Sequence, residues 1–179
     1  VKATFFTTHA FPEYEDMIGK EYKAGHSVAI HSYTHDYNKI YASTDAYWED
    51  LQAQQDVIVA QTGQETKLVR FPGGSSNTVS DFNPGIMTTL AQQLHDKGYE
   101  YFDWNVSSGD AGETTSTDQV VENVISGIQN CSVSVVLQHD SKDYSVAAVE
   151  RIIQWGQENG YTFLPLRLDS PNAHHTINN

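Results

Sequence analysis

Short apolar, β-prone runs alternate with helical patterns along the whole chain. β-branched and aromatic residues predict strands at 3–7, 27–31, 67–71, 99–104, 133–138 and 161–166. Between these runs, the spacing of apolar residues and the flanking caps and glycines predict helices over 13–24, about 44–62, 84–97, 118–129 and 146–159. The predicted caps are Thr44 or Asp45 for the second of these helices and Thr117 or Asp118 for the fourth, and Ser145 precedes the fifth. Strands that alternate with helices in this way indicate a parallel α/β fold, either an open sheet or a closed barrel.

The length and composition fit one globular domain over residues 1–179. Of the 179 residues 39% are apolar, which is enough for one sizeable core. Lys and Arg number 10 against 23 Asp and Glu, and the net charge of −13 argues against nucleic acid or an anionic membrane as the main partner. Cys131 is the only cysteine, which excludes an internal disulfide. No run is long and apolar enough to span a membrane, and we expect no signal peptide within these residues.

Polar residues with chemical potential follow four of the predicted strands. His31 and His35 follow the second strand, Arg70 ends the third, Asp110 lies in the segment after the fourth, and His139 follows the fifth. In parallel α/β barrels the active site is built from the loops at the carboxyl ends of the strands. We therefore expect these four segments to converge on one rim.

The segment His31-Ser-Tyr-Thr-His35 is a candidate metal site. On a helical turn, residues four apart share a face, and neutral imidazole is a common zinc ligand. Ser32 and Thr34 would then provide hydrogen bonds around the ligands. The alternative is a histidine pair that is satisfied by backbone groups at a strand end.

Two further segments have a catalytic and a structural interpretation each. Arg70 precedes Phe-Pro-Gly-Gly, and this arginine either orients a carboxylate or lies on the surface of a turn. The backbone N–H of Gly73 is a candidate oxyanion donor. His139 is either a structural hydrogen bonder or a general acid, for which Asp110 is a better partner than Asp140, because neighbours on an extended segment point apart. Trp104 is a core residue or a sugar-stacking side chain.

Taken together, these motifs resemble those of the polysaccharide deacetylases, the nodulation-protein-B-like domain of carbohydrate esterase family four. His31 to His35 matches the family's metal-binding His-Ser/Thr-x-x-His motif. Arg70-Phe-Pro-Gly73 resembles its Arg-x-Pro-aromatic motif, with glycine in place of the aromatic residue, and Leu137-Gln-His139 matches its Leu-x-His motif. The segment 101–110 is most similar to extracellular Gram-positive members that act on peptidoglycan.

The resemblance implies a distorted (β/α) barrel of seven or eight strands and a metal-dependent hydrolase of N-acetyl groups on a GlcNAc-type polysaccharide such as peptidoglycan or chitin. It implies that His31 and His35 bind a divalent metal, most simply Zn²⁺, and that Arg70 orients the catalytic base. It also implies that His139, stabilised by Asp110, protonates the leaving amine. The implied substrate contacts are Gly73 for the oxyanion, Leu137 for the acetyl methyl group and Trp104 for the sugar.

Two departures from the family pattern qualify this interpretation. The family's Asp-Asp-Gly segment, which carries the base and the third metal ligand, has no counterpart in the chain. The chain also begins in a strand-like run without a Met, so we expect the first strand and its aspartates to lie before Val1. In the fourth motif, Ser107 stands at the first Asp position and Ala111 at the Trp position, which predicts a more open groove wall.

Two alternatives to peptidoglycan N-deacetylation remain. In the first, the chain is a truncated or non-catalytic carbohydrate-binding barrel. In the second, it is an O-deacetylase that acts on xylan with the same residues. We expect weak zinc binding by this chain unless another carboxylate substitutes for the missing ligand. The resemblance places the parent protein outside the cell or at the cell surface.

Overall fold

Two structural units make up the chain, and the computed structural model describes all residues from 1 to 179. The first unit comprises Lys2–Phe102, Pro165–Ser170 and His174–Asn179. The second comprises Asp103–Leu164 with Val1 and Pro171–Ala173. Each unit has its own parallel sheet and its own core, so each is described separately.

The first unit is built on a four-stranded parallel sheet. Its strands, in spatial and chain order, are β1 (Thr4–Thr7), β2 (Ser27–Ile30), β3 (Leu68–Val69) and β4 (Glu100–Tyr101). Its helices are α1 (Asp16–Lys23), α2 (Tyr37–Ile40), α3 (Thr44–Thr62) and α4 (Ile86–Asp96), with a 3-10 turn at Pro12–Tyr14. Crossover helices between adjacent parallel strands are the arrangement that the alternating pattern predicts.

Helix α3 shows why the sequence forms these elements. Ser43 caps its amino end by accepting a hydrogen bond from the N–H of Ala46, and Gly63 ends it in a left-handed conformation at φ 72°. Its buried face carries Tyr47, Leu51 and Ile58, which pack in the same core as residues of β2, β3 and α4. The cap is Ser43, so the prediction of Thr44 or Asp45 was wrong.

The second unit pairs two short parallel strands with two helices. These are β5 (Val106–Ser107), β6 (Val136–Leu137), α5 (Thr117–Gln129) and α6 (Asp143–Glu158). Val120, Val124 and Ile128 of α5 share a core with Ala148 and Ile152 of α6. Because these residues recur every three or four positions, each helix buries one apolar stripe.

The predicted strand at 161–166 does not form. Pro165 has no N–H to give to a ladder, and Leu164 is 77% exposed. In the first unit, the N–H of Leu166 donates to Oγ1 of Thr4 at 2.7 Å, and its carbonyl accepts from Oγ of Ser27 at 2.8 Å. Side chains therefore make the hydrogen bonds of a backbone segment for which the apolar pattern predicted a strand.

Other differences from the predicted elements are shifts of a few residues. The predicted strand at 99–104 is limited to β4, and β5 is a strand that the apolar pattern did not predict. Ser116 rather than Thr117 or Asp118 caps α5, and Ser145 lies inside the first turn of α6 instead of before it. The helices fall short, in length or in apolar character, of what a bilayer span requires.

Candidate active site

The two candidate metal ligands lie on the loop that follows β2. The rings of His31 and His35 have centroids 5.0 Å apart and are tilted by 54°. The loop is not helical, so the helical explanation for the pairing of i and i+4 was wrong. His35 instead adopts a left-handed conformation at φ 52°, and it is the one residue other than glycine with a positive φ. The two rings thus approach each other across a bent loop that is left-handed at His35.

The orientation of His31 is set by the strand beside it. Nδ1 of His31 lies 2.7 Å from the backbone carbonyl of Arg70. Because a carbonyl only accepts, Nδ1 is the protonated nitrogen, and in the neutral ring Nε2 carries the lone pair. Metal-binding histidines in proteins are usually held in this way, with the non-ligating nitrogen on a carbonyl or carboxylate.

The side chain of Arg70 is buried rather than at the surface of a turn. Only 7% of the residue is exposed, Nε donates to the carbonyl of Phe102 at 2.9 Å, and the guanidinium stacks on the ring of Phe6 at 4.3 Å. A buried guanidinium held on two sides has a fixed direction. The surface alternative for Arg70 is therefore excluded, and its proposed role of orienting a base stays a prediction.

A buried carboxylate that the sequence interpretation missed lies under the histidine loop. Oδ2 of Asp50 accepts from Oγ of Ser32 at 2.6 Å and from the N–H of Tyr33 at 2.8 Å. Oδ1 accepts from both the N–H and Oγ1 of Thr34, at 2.9 and 2.7 Å. The available signal in the sequence was an acidic residue between Tyr47 and Leu51, on the helix face that the structure buries. In the structure Asp50 is 8% exposed.

The donor set fits a divalent metal only in part. Two imidazoles on one loop, one with its tautomer set by a backbone carbonyl, have the chemistry of zinc ligands. No cluster of three or more His, Cys, Asp or Glu side chains that could hold a metal occurs in the structure. His31 and His35 thus fit as two ligands of a site that needs at least one more.

Gly73 lies in the turn after β3, where its backbone conformation requires glycine. Its φ is 79°, and a Cβ added there would approach Cβ of Asn77 to 3.1 Å. The N–H of Gly74 donates to the carbonyl of Phe71 at 2.8 Å, which closes the turn. The glycine that replaces the family's aromatic residue is thus explained by the local backbone, and its role as an oxyanion donor stays a prediction.

In the second unit, His139 and Asp110 form the predicted pair. Nδ1 of His139 lies 2.7 Å from Oδ1 of Asp110, and the backbone N–H of His139 donates to Oδ2, also at 2.7 Å. The hydroxyl of Ser145 donates to the same Oδ2 at 2.5 Å. The side chain of His139 is 39% exposed, whereas that of Asp110 is 1% exposed. The carboxylate therefore holds the inner edge of an imidazole whose outer edge is accessible.

The hydrogen bonds around Asp110 decide its charge state. Burial alone would raise the pKa of this carboxyl group, but hydrogen bonds from the His139 ring, the Ser145 hydroxyl, the His139 N–H and the Ser108 hydroxyl outweigh it. The net effect is a pKa well below the usual value. Asp110 is therefore ionised throughout the physiological range and stabilises a positive charge on the ring that it contacts.

The low pKa of Asp110 predicts a specific acid sensitivity. A folded-state pKa below the unfolded value of about 3.9 stabilises the fold above that pH, and the contribution is lost as the pH falls through the folded value. Asp110→Asn should cost about 1–3 kcal/mol at pH 7 and show a smaller loss of stability between pH 5 and 3 than the wild type. Urea unfolding at several pH values measures this.

Asp118→Asn is the matched control for that experiment, because Asp118 lies in the same unit with an 85% exposed side chain. It should reproduce the wild-type pH dependence. An unchanged pH dependence in Asp110→Asn would contradict the assignment of acid sensitivity to this carboxylate.

The remaining predicted site residues of the second unit are half-buried. Leu137 lies in β6 opposite Ser107 of β5, and Trp104 precedes β5. Ser107 is exposed, and its hydroxyl accepts from the N–H of Gly109 at 3.1 Å. Ser107 therefore acts as a turn residue at the position where the family has Asp, and the substrate roles of Leu137 and Trp104 stay predictions.

The structure thus joins the predicted site residues into two groups. In the first unit, His31 contacts both His35 and the backbone of Arg70, with Gly73 three residues further on. Asp110 and His139 are in contact in the second unit, which also contains Leu137 and Trp104. The two groups differ in chemistry, since the first presents a pair of imidazoles and the second an imidazole bound to a carboxylate.

Sequence comparisons relate the chain to known hydrolases. Residues 1–101 match the family model of the polysaccharide deacetylases. A peptidoglycan-N-acetylglucosamine deacetylase of Bacillus cereus is 32% identical over 168 residues, which are 90% of this chain and 58% of that protein. The chain therefore spans less than two thirds of the length of this relative.

Solved structures show the same fold. The catalytic domain of peptidoglycan N-acetylglucosamine deacetylase from Eubacterium rectale matches with a TM-score of 0.98 at 59% identity, over 100% of this chain and 82% of that one. The polysaccharide deacetylase Bc1974 from Bacillus cereus matches with a TM-score of 0.78 at 29% identity, over 97% of this chain and 82% of that one. These matches confirm the predicted fold class.

Proposed function

Because this chain belongs to the polysaccharide deacetylase family, we propose that its parent protein removes N-acetyl groups from a GlcNAc-type polysaccharide, and that the substrate is peptidoglycan. The observation that carries the proposal is the pairing of His31 with His35, with Nδ1 of His31 turned onto the carbonyl of Arg70. The names of the similar Bacillus and Eubacterium proteins support peptidoglycan as the glycan.

The proposed reaction is hydrolysis of an amide. Water adds to the acetyl carbonyl carbon, the amide bond between that carbon and the sugar's nitrogen breaks, and acetate leaves while a free amine stays on the polymer. The water contributes its oxygen to acetate, and the leaving nitrogen must gain a proton before it departs. The enzyme therefore needs groups that polarise the carbonyl, a base for the water and an acid for the amine.

His31 and His35 would hold the metal. A bound Zn²⁺ ion would supply Lewis-acid polarisation of the carbonyl and of the attacking water. The Arg70 carbonyl would orient the His31 ring for this role, and the left-handed backbone at His35 would orient the second ring. In the proposed reaction the Gly73 N–H assists at the oxyanion and Arg70 orients the base, but no residue of this chain is assigned as that base.

His139 would donate the proton to the leaving nitrogen. Its Nδ1 edge is bound to the ionised Asp110, so its Nε2 edge is the one that reaches substrate. A histidine that acts as a general acid must carry its proton before the transfer. The carboxylate on Nδ1 stabilises that positive charge and fixes the plane of the ring. Leu137 would border the acetyl methyl group and Trp104 would stack on the sugar.

Acetate release tests this function directly. The full-length protein with Zn²⁺ should release acetate from N-acetylated peptidoglycan glycan strands and leave free amines on the polymer. Acetylxylan serves as the matched substrate with ester-linked acetyl groups. Release from acetylxylan alone would establish O-deacetylation instead, and release from neither would overturn the enzymatic proposal.

A non-catalytic carbohydrate-binding role is the second candidate. It is favoured by one observation, namely that the structure brings together two histidines but no third metal ligand. A protein of this kind would bind the glycan and release no acetate. Glycan binding measured alongside the acetate assay separates the two functions.

We propose an extracellular or cell-surface location for the parent protein. The support is indirect, since peptidoglycan lies outside the cytoplasmic membrane and the acidic chain is unsuited to nucleic acid. Fractionation of cells that carry the native gene, with detection of the protein in the wall and medium fractions, tests this location.

A further inference from the structure

Asp50 occupies a position in α3 that the packing of the helix does not explain. Its neighbours on the buried face, Tyr47 and Leu51, belong to the apolar core, whereas Asp50 places a carboxylate there. Burying a carboxylate is costly unless hydrogen bonds replace its water. The residue therefore needs a role that compensates for this cost, and the contacts of its two oxygens indicate one.

The carboxylate of Asp50 binds three consecutive residues of the histidine loop. It accepts hydrogen bonds from two backbone N–H groups, of Tyr33 and Thr34, and from the hydroxyls of Ser32 and Thr34, all between 2.6 and 2.9 Å. Both oxygens accept two bonds each. The three residues are those between His31 and His35, so the carboxylate holds the segment that connects the two rings.

The contact extends to His35 through Ser32. The hydroxyl of Ser32 donates to Asp50 and accepts from the backbone N–H of His35 at 2.9 Å. His35 is in the left-handed conformation, which is unfavourable for a residue with a Cβ. A chain of hydrogen bonds from Asp50 through Ser32 thus supports the strained backbone that turns the His35 ring toward His31.

We propose that Asp50 is a positioning residue that holds His31 and His35 in the arrangement needed to ligate a divalent metal. The inference rests on the proposed function, in which this pair binds the metal of a deacetylase. Asp50 does not touch the metal or the substrate in this role. It acts through the Ser32–Thr34 backbone, so its loss should separate the rings without removing either one.

The test compares Asp50→Ala and Asp50→Asn with two control variants in the full-length protein. Asp56→Asn changes the charge of the same helix at an exposed position, and Leu51→Ala removes buried apolar contact from the next residue. Asp50→Ala should lower the affinity for Zn²⁺, measured by titration with the metal alone, by about 10- to 100-fold. Asp50→Asn keeps the side-chain size and should give a smaller loss in the same direction.

Both controls should leave the Zn²⁺ affinity within about twofold of wild type, although Leu51→Ala should lower the melting temperature. This pattern separates positioning of the ligands from a general loss of stability. A folded Asp50→Ala or Asp50→Asn variant with wild-type Zn²⁺ affinity would overturn the proposal. The proposal would also be overturned if Leu51→Ala weakened Zn²⁺ binding as much as Asp50→Ala does.

Amide hydrogen exchange tests the contact between Asp50 and the histidine loop in the absence of metal. The N–H groups of Tyr33, Thr34 and His35 should be protected in the wild type and should exchange at least tenfold faster in the Asp50 variants. If the wild type binds no Zn²⁺, the proposed function fails, and the exchange of these three amides still decides whether Asp50 holds the loop. Unchanged exchange in a folded variant would refute that contact.

Discussion

Replacement of His139 by alanine in the full-length protein is expected to lower acetate release from N-acetylated glycan by about 10²- to 10⁴-fold. The reason is the pairing with Asp110, whose ionised carboxylate lies 2.7 Å from Nδ1 and leaves the outer edge of the ring to transfer a proton. Without the imidazole, the leaving amine must take its proton from water. Initial rates of acetate release, at saturating and at low glycan, measure the loss.

The loss should fall mainly on kcat, because proton transfer belongs to the chemical step and not to glycan binding. Asp110→Asn should lower the same rate less than His139→Ala does, since the ring remains but loses its carboxylate. His95→Ala is the matched control, because His95 lies on α4 with an 82% exposed side chain. Acetate release that survives His139→Ala at the wild-type rate would exclude this residue as the acid.

Replacement of His31 by alanine is expected to weaken Zn²⁺ binding by the full-length protein severely. The affinity should fall by more than the roughly 10- to 100-fold typical of losing a residue that only orients a ligand. His31 is the better oriented of the two rings, since the Arg70 carbonyl holds its Nδ1 at 2.7 Å. Titration with Zn²⁺, followed by acetate assays at the same metal concentrations, measures both consequences.

His95→Ala again serves as the histidine control and should leave Zn²⁺ binding unchanged. In His31→Ala, activity should be restored in part by a large excess of Zn²⁺, because His35 remains. A tight, stoichiometric Zn²⁺ site that persists in His31→Ala would refute the assignment of the metal to this pair. Loss of Zn²⁺ binding together with loss of the fold would be recognised from the melting temperature.

Most of the order of elements, and the pairing of Asp110 with His139, follow from the sequence. Runs of β-branched residues and capped amphipathic segments are local signals, and they correctly indicated strands near residues 4, 27, 68 and 100 and the long helix that Gly63 ends. His139 was assigned to Asp110 rather than to Asp140 on the same local ground. On an extended segment neighbouring side chains diverge, and the structure bears out that pairing.

Only the tertiary structure decided how the two candidate ligands come together. Spacing alone favoured a helical turn for His31 and His35, whereas the rings meet because His35 is left-handed. That conformation depends on Asp50, which lies fifteen positions further along the chain and acts through hydrogen bonds that no local pattern encodes. Contacts between residues distant in sequence can outweigh local preferences, so the sequence determined which residues form the pair and the fold determined its geometry.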